Sequence, residues 1–314
     1  MQNTWQGAAF HAKGGAVLGL DVASCTRAEG VTTFTGRGTL RKTGTGKLRW
    51  GIDTATFNLE SGGLLDGQGE LFVGGSNANE NWSTNFADLN VAASAVFSGV
   101  DSNVRVDALS GAGTIKSGFN DAGYIGFTFG VDNGCGTFYG ALTNDSSTGN
   151  FTKTGSCTQV LSGANTYTAI PSVTGSALLV NGSLAAASAV TVADNAPLGG
   201  TGSVGGAVTV QSGGTLSPGA DGLGTLTVGS AAVNGSLFVQ INGNTVNGLS
   251  VAEDFNITNC TLDLSVLSGG LTRLDYILAT YGSLIGSQFA AVNGVSHGYQ
   301  ISYDTANKRI MLIG

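Results

Sequence analysis

The strongest arrangement of reactive side chains in the sequence is Asp101, Arg105 and Asp107. Their even spacing puts all three on one face of an extended strand, with Val104 and Val106 on the other. Two carboxylates beside a guanidinium could bind calcium and a uronate, or share acid–base work on a glycosidic bond. That is the chemistry of a polysaccharide lyase or glycoside hydrolase. The plainer reading is the solvent face of a strand, where charges belong. It assigns no catalytic residue.

Two further motifs invite chemistry and fail on context. Gly294-Val-Ser-His-Gly298 has the G-x-S-x-G form of a nucleophile elbow, but no helix is expected after it. Its own His297 and the remote His11 are the only histidines, so a surface loop is expected. Gly200-Thr-Gly-Ser-Val-Gly205 has the form of a dinucleotide fingerprint, yet a strand-like Val-Thr-Val follows where a helix is required. Trp82 lies in a polar stretch, residues 74–85, where an exposed ring would stack on a sugar and a tucked ring would pack on the chain. No cofactor is implied. Cys25, Cys135, Cys157 and Cys260 form no C-x-x-C, so no metal site is expected. Cys135 and Cys157 are 22 residues apart, close to one structural repeat; a disulfide and two unpaired thiols both remain open.

The elements that would position these residues announce themselves by a period. Ala189-Val-Thr-Val192 returns as Ala207-Val-Thr-Val210 and as Thr225-Leu-Thr-Val228, each 18 residues on, and Leu198 returns as Leu216. A short β-branched run followed by a glycine-rich turn, at constant spacing, describes a chain that winds. One coil of about 20 residues cannot bury its apolar face alone, so it stacks on the next. The expected fold is all-β, a right-handed parallel β-helix (β-solenoid) with a C-terminal β cap.

Composition agrees. Among 314 residues there are 52 Gly and 3 Pro, with 41% hydrophobic and 11% charged. Glycine falls between short runs of Val, Leu, Ile, Thr and Phe, as turns do between strands. The net charge of −7 disfavours a nucleic-acid partner. The one basic cluster, Arg37, Arg41, Lys42, Lys47 and Arg49, reads as a charged coil edge that discourages edge-to-edge pairing. No apolar run is long enough for a transmembrane segment. Val22-Ala-Ser-Cys25 has the form of a lipoprotein cleavage box, though Asp21 interrupts the run before it.

Residues 1–35 are irregular and are expected to be an N-terminal cap or the remnant of a leader. Residues 36–264 carry regular strand and turn punctuation, and residues 265–314 carry denser aromatics and a closing hairpin signal at Asp304-Thr-Ala-Asn-Lys308. The block Gly149-Asn-Phe-Thr-Lys-Thr-Gly155 restates the scheme of Gly38-Thr-Leu-Arg-Lys-Thr-Gly44.

Several stretches resemble autotransporter-associated β-strand repeats: Lys153 to Thr168, Leu178-Leu-Val-Asn-Gly-Ser183, Leu198 to Gly206 and Gly213-Gly-Thr-Leu-Ser-Pro-Gly219. The likeness is close over residues 149–230, partial over 36–148 and weak before that. Cys157, Ala169 and Ser176 depart from it, each standing where the pattern has glycine. The resemblance implies a passenger-type β-helix, exported and then displayed or released, without the membrane barrel. Together these readings lead to a non-catalytic module, secreted or at a bacterial cell surface, that presents an extended surface to glycan or protein. The first alternative is a filament subunit that contacts itself head to tail, and the second is the lyase or hydrolase.

Overall fold

The structure is a computed structural model that describes residues 4–22, 29–50, 55–73, 81–99, 102–118, 126–168, 172–219 and 223–314. The chain is all-β, with no helix among the described residues, and its parallel sheets stack as a β-solenoid of about 10 turns. Two compact units divide at Ala169 and Ile170.

In the first unit each coil contributes short strands to three faces. One face runs Val17–Asp21, Thr39–Thr43, Leu64–Gly67, Asp88–Val91, Leu109–Gly111, Gly136–Phe138 and Gln159–Leu161, all parallel. Strict alternation decides what faces inward: Leu18, Leu40, Leu65, Leu89 and Leu109 share one register position and form an inner ladder. Four of these five are fully buried, and each contributes roughly 1.5–3 kcal/mol by leaving water. On the other faces the ladders are aromatic. Phe10, Phe34, Phe57 and Trp82 stack in sequence, with ring centroids 6.2, 4.7 and 3.9 Å apart. Phe97, Phe127, Phe151 and Tyr167 form a second series at 6.1, 5.5 and 4.6 Å.

The second unit has aliphatic ladders and longer strands. Leu178, Leu198, Leu216, Leu237 and Leu262 align on one face. Val173, Val192, Val210 and Val233 align on the opposite one, beside Val190, Val208, Ala231 and Phe255. Ser203–Val210, with every second residue buried, joins what were separate strands in the first unit.

The corners share one device. Lys13–Ala16, Glu60–Gly63, Ala92–Ala95, Ala193–Ala196 and Gln211–Gly214 are turns in which the last N–H donates to the first carbonyl. Their third residues, Gly15, Gly62, Ser94, Asn195 and Gly213, all have positive φ. Glycine adopts that conformation freely and Asn tolerates it, which explains why Gly and Asn punctuate the sequence.

Three expectations need correcting. Winding starts before residue 36, because Thr4–Ala12 already pairs in parallel with Glu29–Gly36, and Val17–Asp21 with Thr39–Thr43. It also continues past 264: Thr261–Leu271 pairs in parallel with Ala291–Asn293, and only the hairpin Gln300–Asp304 with Arg309–Ile313 is antiparallel. Finally, the third sequence repeat is out of register. Val190-Thr-Val192 lies beside Val208-Thr-Val210 as the period predicts, but Thr227-Val228 lies beside Ser203-Val204. A bulge between Val204 and Ala207 absorbs the slip, and Val210 meets Val233 instead.

Candidate functional site

Of the Asp101, Arg105 and Asp107 constellation, Asp101 lies outside the described residues. Arg105 points outward from Val104–Val106, and its backbone carbonyl accepts a bond from Asn85 Nδ2 at 2.7 Å. Asp107 is not on that strand, which ends at Val106. It is buried in the corner, where its Oδ1 accepts the N–H groups of Asp132 at 2.8 Å and Gly134 at 2.7 Å. A methyl group at Gly134 would come within 2.5 Å of Asp107 Oδ2, so glycine is required there. The carboxylate holds the next coil's turn, and the even-spacing argument failed because the chain bends one residue earlier than a strand would.

Trp82 is corrected as well. It is 2% exposed, stacked on Phe57, and donates its indole N–H to Ser102 Oγ at 3.1 Å. It therefore offers no free ring face to a sugar; a neighbouring aromatic ladder captured it. Ser296 and His297 lie in a loop and turn between Ala291–Asn293 and Gln300–Asp304, and Ser296 caps that turn through its carbonyl to Tyr299 N–H. Gly200 ends the strand Pro197–Gly200, and Gly205 belongs to Ser203–Val210, so that motif is strand and corner. Cys135 and Cys157 are joined in a disulfide between successive coils, with Cα atoms 5.1 Å apart. Cys260 is buried, and burial pushes its thiol up to about 12. Cys25 lies outside the described residues. Among the described residues no cluster of three or more His, Cys, Asp or Glu could hold a metal ion.

The basic cluster is tied down by the winding. Arg37 faces Glu60 at 2.7 Å, Arg41 faces Asp66 at 2.6 Å and Lys47 faces Glu70 at 3.0 Å, each pair one coil apart. Arg41 begins an outward polar row on the leucine-ladder face. Asp66 Oδ2 accepts from Arg41, Asp66 Oδ1 accepts from Asn90 Nδ2 at 2.9 Å, and Ser110 Oγ donates to Asn90 Oδ1 at 3.2 Å. The register Arg41, Asp66, Asn90, Ser110 crosses four successive coils. Lateral bonds of this kind hold each side chain in one orientation on the wall.

Lys42 goes the other way. It is fully buried and donates its ammonium to the Gly44 carbonyl at 2.6 Å. Lys153, in the restated block, is also buried and donates to the carbonyls of Thr154 and Gly155. In both Lys-Thr-Gly corners the glycine has positive φ, which turns backbone carbonyls toward the ammonium. Burial lowers both lysines from their ordinary range, and Lys153 reaches about 8 despite the opposing pull of Asp107. The repeated Lys-Thr-Gly spelling carried this signal, but type alone placed the lysines on the surface.

Gln159 is the other residue that sequence reasoning missed. Its register partner one coil back is Gly136, which has no side chain to fill the core. Gln159 reaches past it: Oε1 accepts the Leu109 N–H at 3.0 Å and Nε2 donates to the Leu109 carbonyl at 3.0 Å. A side chain at position 136 would meet both Gln159 Oε1 and the Leu109 carbonyl.

The class of protein these features define is a parallel β-solenoid with a hydrogen-bonded outer wall. No protein-family model matches the sequence, and no curated protein matches it.

Proposed function

We propose that the chain is a passenger-type β-solenoid module, related to autotransporter-associated repeats, that serves at a cell surface or after secretion as a non-catalytic scaffold for contact with glycan or protein. The observation that carries this reading is the Arg41–Asp66–Asn90–Ser110 row, a polar stripe whose members bond one another across four coils. A rigid stripe with fixed donors and acceptors binds without the entropy loss of ordering free side chains. Asp107, the one described carboxylate of the candidate acid pair, serves the backbone of the next corner, which favours scaffold over catalyst. The inter-coil disulfide favours an oxidising compartment. The test is a glycan and surface-protein binding screen of the purified chain beside an Asn90→Ala variant. Binding that weakens in the variant supports the reading, whereas cleavage of a uronate polymer by the parent and not by Asp107→Asn would replace it with the enzyme.

The last rung favours a second reading, self-association. Val292 is in register with the fully buried Leu262, yet it is 37% exposed because no described strand follows Ala291–Asn293 on that face. An unpaired parallel edge over an uncovered apolar position is a template for another strand. Light scattering across a concentration series separates the two: a constant mass removes self-association.

A further inference from the structure

We propose that the Cys135–Cys157 disulfide is a thiol-exchange site, a place where the native coil takes up and releases a small thiol, rather than the strut that keeps two coils together. Its neighbours already hold those coils. Before the two cysteines, Gly126–Phe129 pairs in parallel with Asn150–Lys153; after them, Gly136–Phe138 pairs with Gln159–Leu161. At the corner itself, Asn133 Oδ1 accepts Ser156 N–H at 2.7 Å and Ser156 Oγ–H at 2.9 Å. Asp107 pins Asp132 and Gly134 from the coil before, and Lys153 draws in the carbonyls of Thr154 and Gly155. The geometry a disulfide needs is therefore imposed from both sides, and breaking the S–S bond leaves both ladders and the corner bonds in place.

The two sulfurs differ in access. Cys135 is exposed and Cys157 is half-buried, so an incoming thiolate meets Cys135 first. A thiolate attacks Cys135 Sγ along the S–S axis and forms a mixed disulfide. The S–S electron pair leaves on Cys157 Sγ, which takes a proton from water. A second thiol then attacks the mixed disulfide, releases the oxidised thiol dimer and leaves Cys135 as a thiol. In sum, two thiols are oxidised to one disulfide and the protein disulfide is reduced to two thiols. Cys260, buried and with its thiol pushed up to about 12, takes no part.

The experiment is incubation of the folded protein with reduced glutathione, followed by intact-mass and peptide mass spectrometry and by far-ultraviolet circular dichroism. The expected result is a single glutathione on Cys135, formed at a rate proportional to glutathione concentration, with the strand signal retained. In Cys135→Ser the remaining Cys157 thiol should be alkylated about tenfold more slowly than Cys135 in Cys157→Ser. A rate independent of glutathione concentration, meaning that the chain must open first, overturns the proposal. So does loss of the strand signal on reduction, or equal alkylation in the two serine variants. A Cys135→Ser/Cys157→Ser double variant that retains the parent's circular dichroism confirms that the ladders suffice, and one that fails to fold refutes it.

Discussion

The two units solve the same problem with different cores. The first fills short, three-faced coils with stacked rings and admits polar groups: Lys42, Lys153, Gln159, Asn85 and Asn165 are all buried there. The second uses Val and Leu ladders on long strands, and its buried polar side chains are few among the described residues, Ser188 and Asn247. A short strand leaves more backbone at corners and bulges, and those groups need partners inside. Asn85 serves the Leu59 N–H and the Arg105 carbonyl, and Asn165 serves the Leu142 N–H, much as Gln159 serves Leu109. Where strands run eight or nine residues, the ladder satisfies the backbone and aliphatic side chains can fill the rest. Polar cores in this fold are thus a consequence of tight corners.

That contrast can be broken. The largest effect is expected from Phe57→Ala, which removes the ring between Phe34 and Trp82 and should cost about 3–5 kcal/mol. Because a solenoid couples mainly to its neighbours, hydrogen exchange should quicken around residues 34–97 and remain slow over residues 190–262. Equal loss of protection in both regions would mean that the units unfold as one. Gln159→Leu sharpens the point about corners. It keeps side-chain bulk but strands the N–H and carbonyl of Leu109, and is expected to cost roughly 2–4 kcal/mol by urea titration. A neutral result would show that water reaches those groups.

Lys153 supplies a pH test of the polar core. Its folded value is lowered from 10.5 to about 8, so between those limits the unfolded chain holds the proton and the folded chain does not. Stability from this group therefore rises as pH climbs from about 8 to about 10.5, by roughly 1–3 kcal/mol, and the full penalty of burying the ammonium is present below pH 8. Lys153→Met should remove that rise; if denaturant midpoints of parent and variant run parallel from pH 7 to about 10.5, the lysine is not protected from water. The smallest effect belongs to Arg37→Ala. Its ion pair with Glu60 is exposed on both sides, so a change within about 0.5 kcal/mol is expected. Anything larger would give the outer wall a share in stability that the inner ladders are thought to hold.

How legible each region was follows from the same difference. In the second unit the leucine ladder could be read from Leu198 and Leu216, because identical residues at identical spacing share an inward position. The same reading misplaced Thr225-Leu-Thr-Val228, since a period counts residues and a bulge shifts register without changing residue type. In the first unit coils vary in length, from 20 residues between Leu89 and Leu109 to 25 between Leu40 and Leu65, so no constant period marks them. The candidate site fared worse. Asp107 and Trp82 were chosen as polar or loop residues, and both proved to be interior supports of neighbouring coils.

By itself the sequence determined the architecture: alternation of apolar and polar residues, punctuated by Gly and Asn where φ turns positive, allows little other than stacked parallel strands. It also determined that Cys135 and Cys157 would lie about one coil apart. Only the tertiary structure decided which charged residues face inward, because Lys42, Lys153 and Asp107 are buried by corners that converge carbonyls or N–H groups on them. Such corners are assembled from segments 20 to 27 residues apart, as Asp107 and Gly134 show, and local spacing carries no record of them.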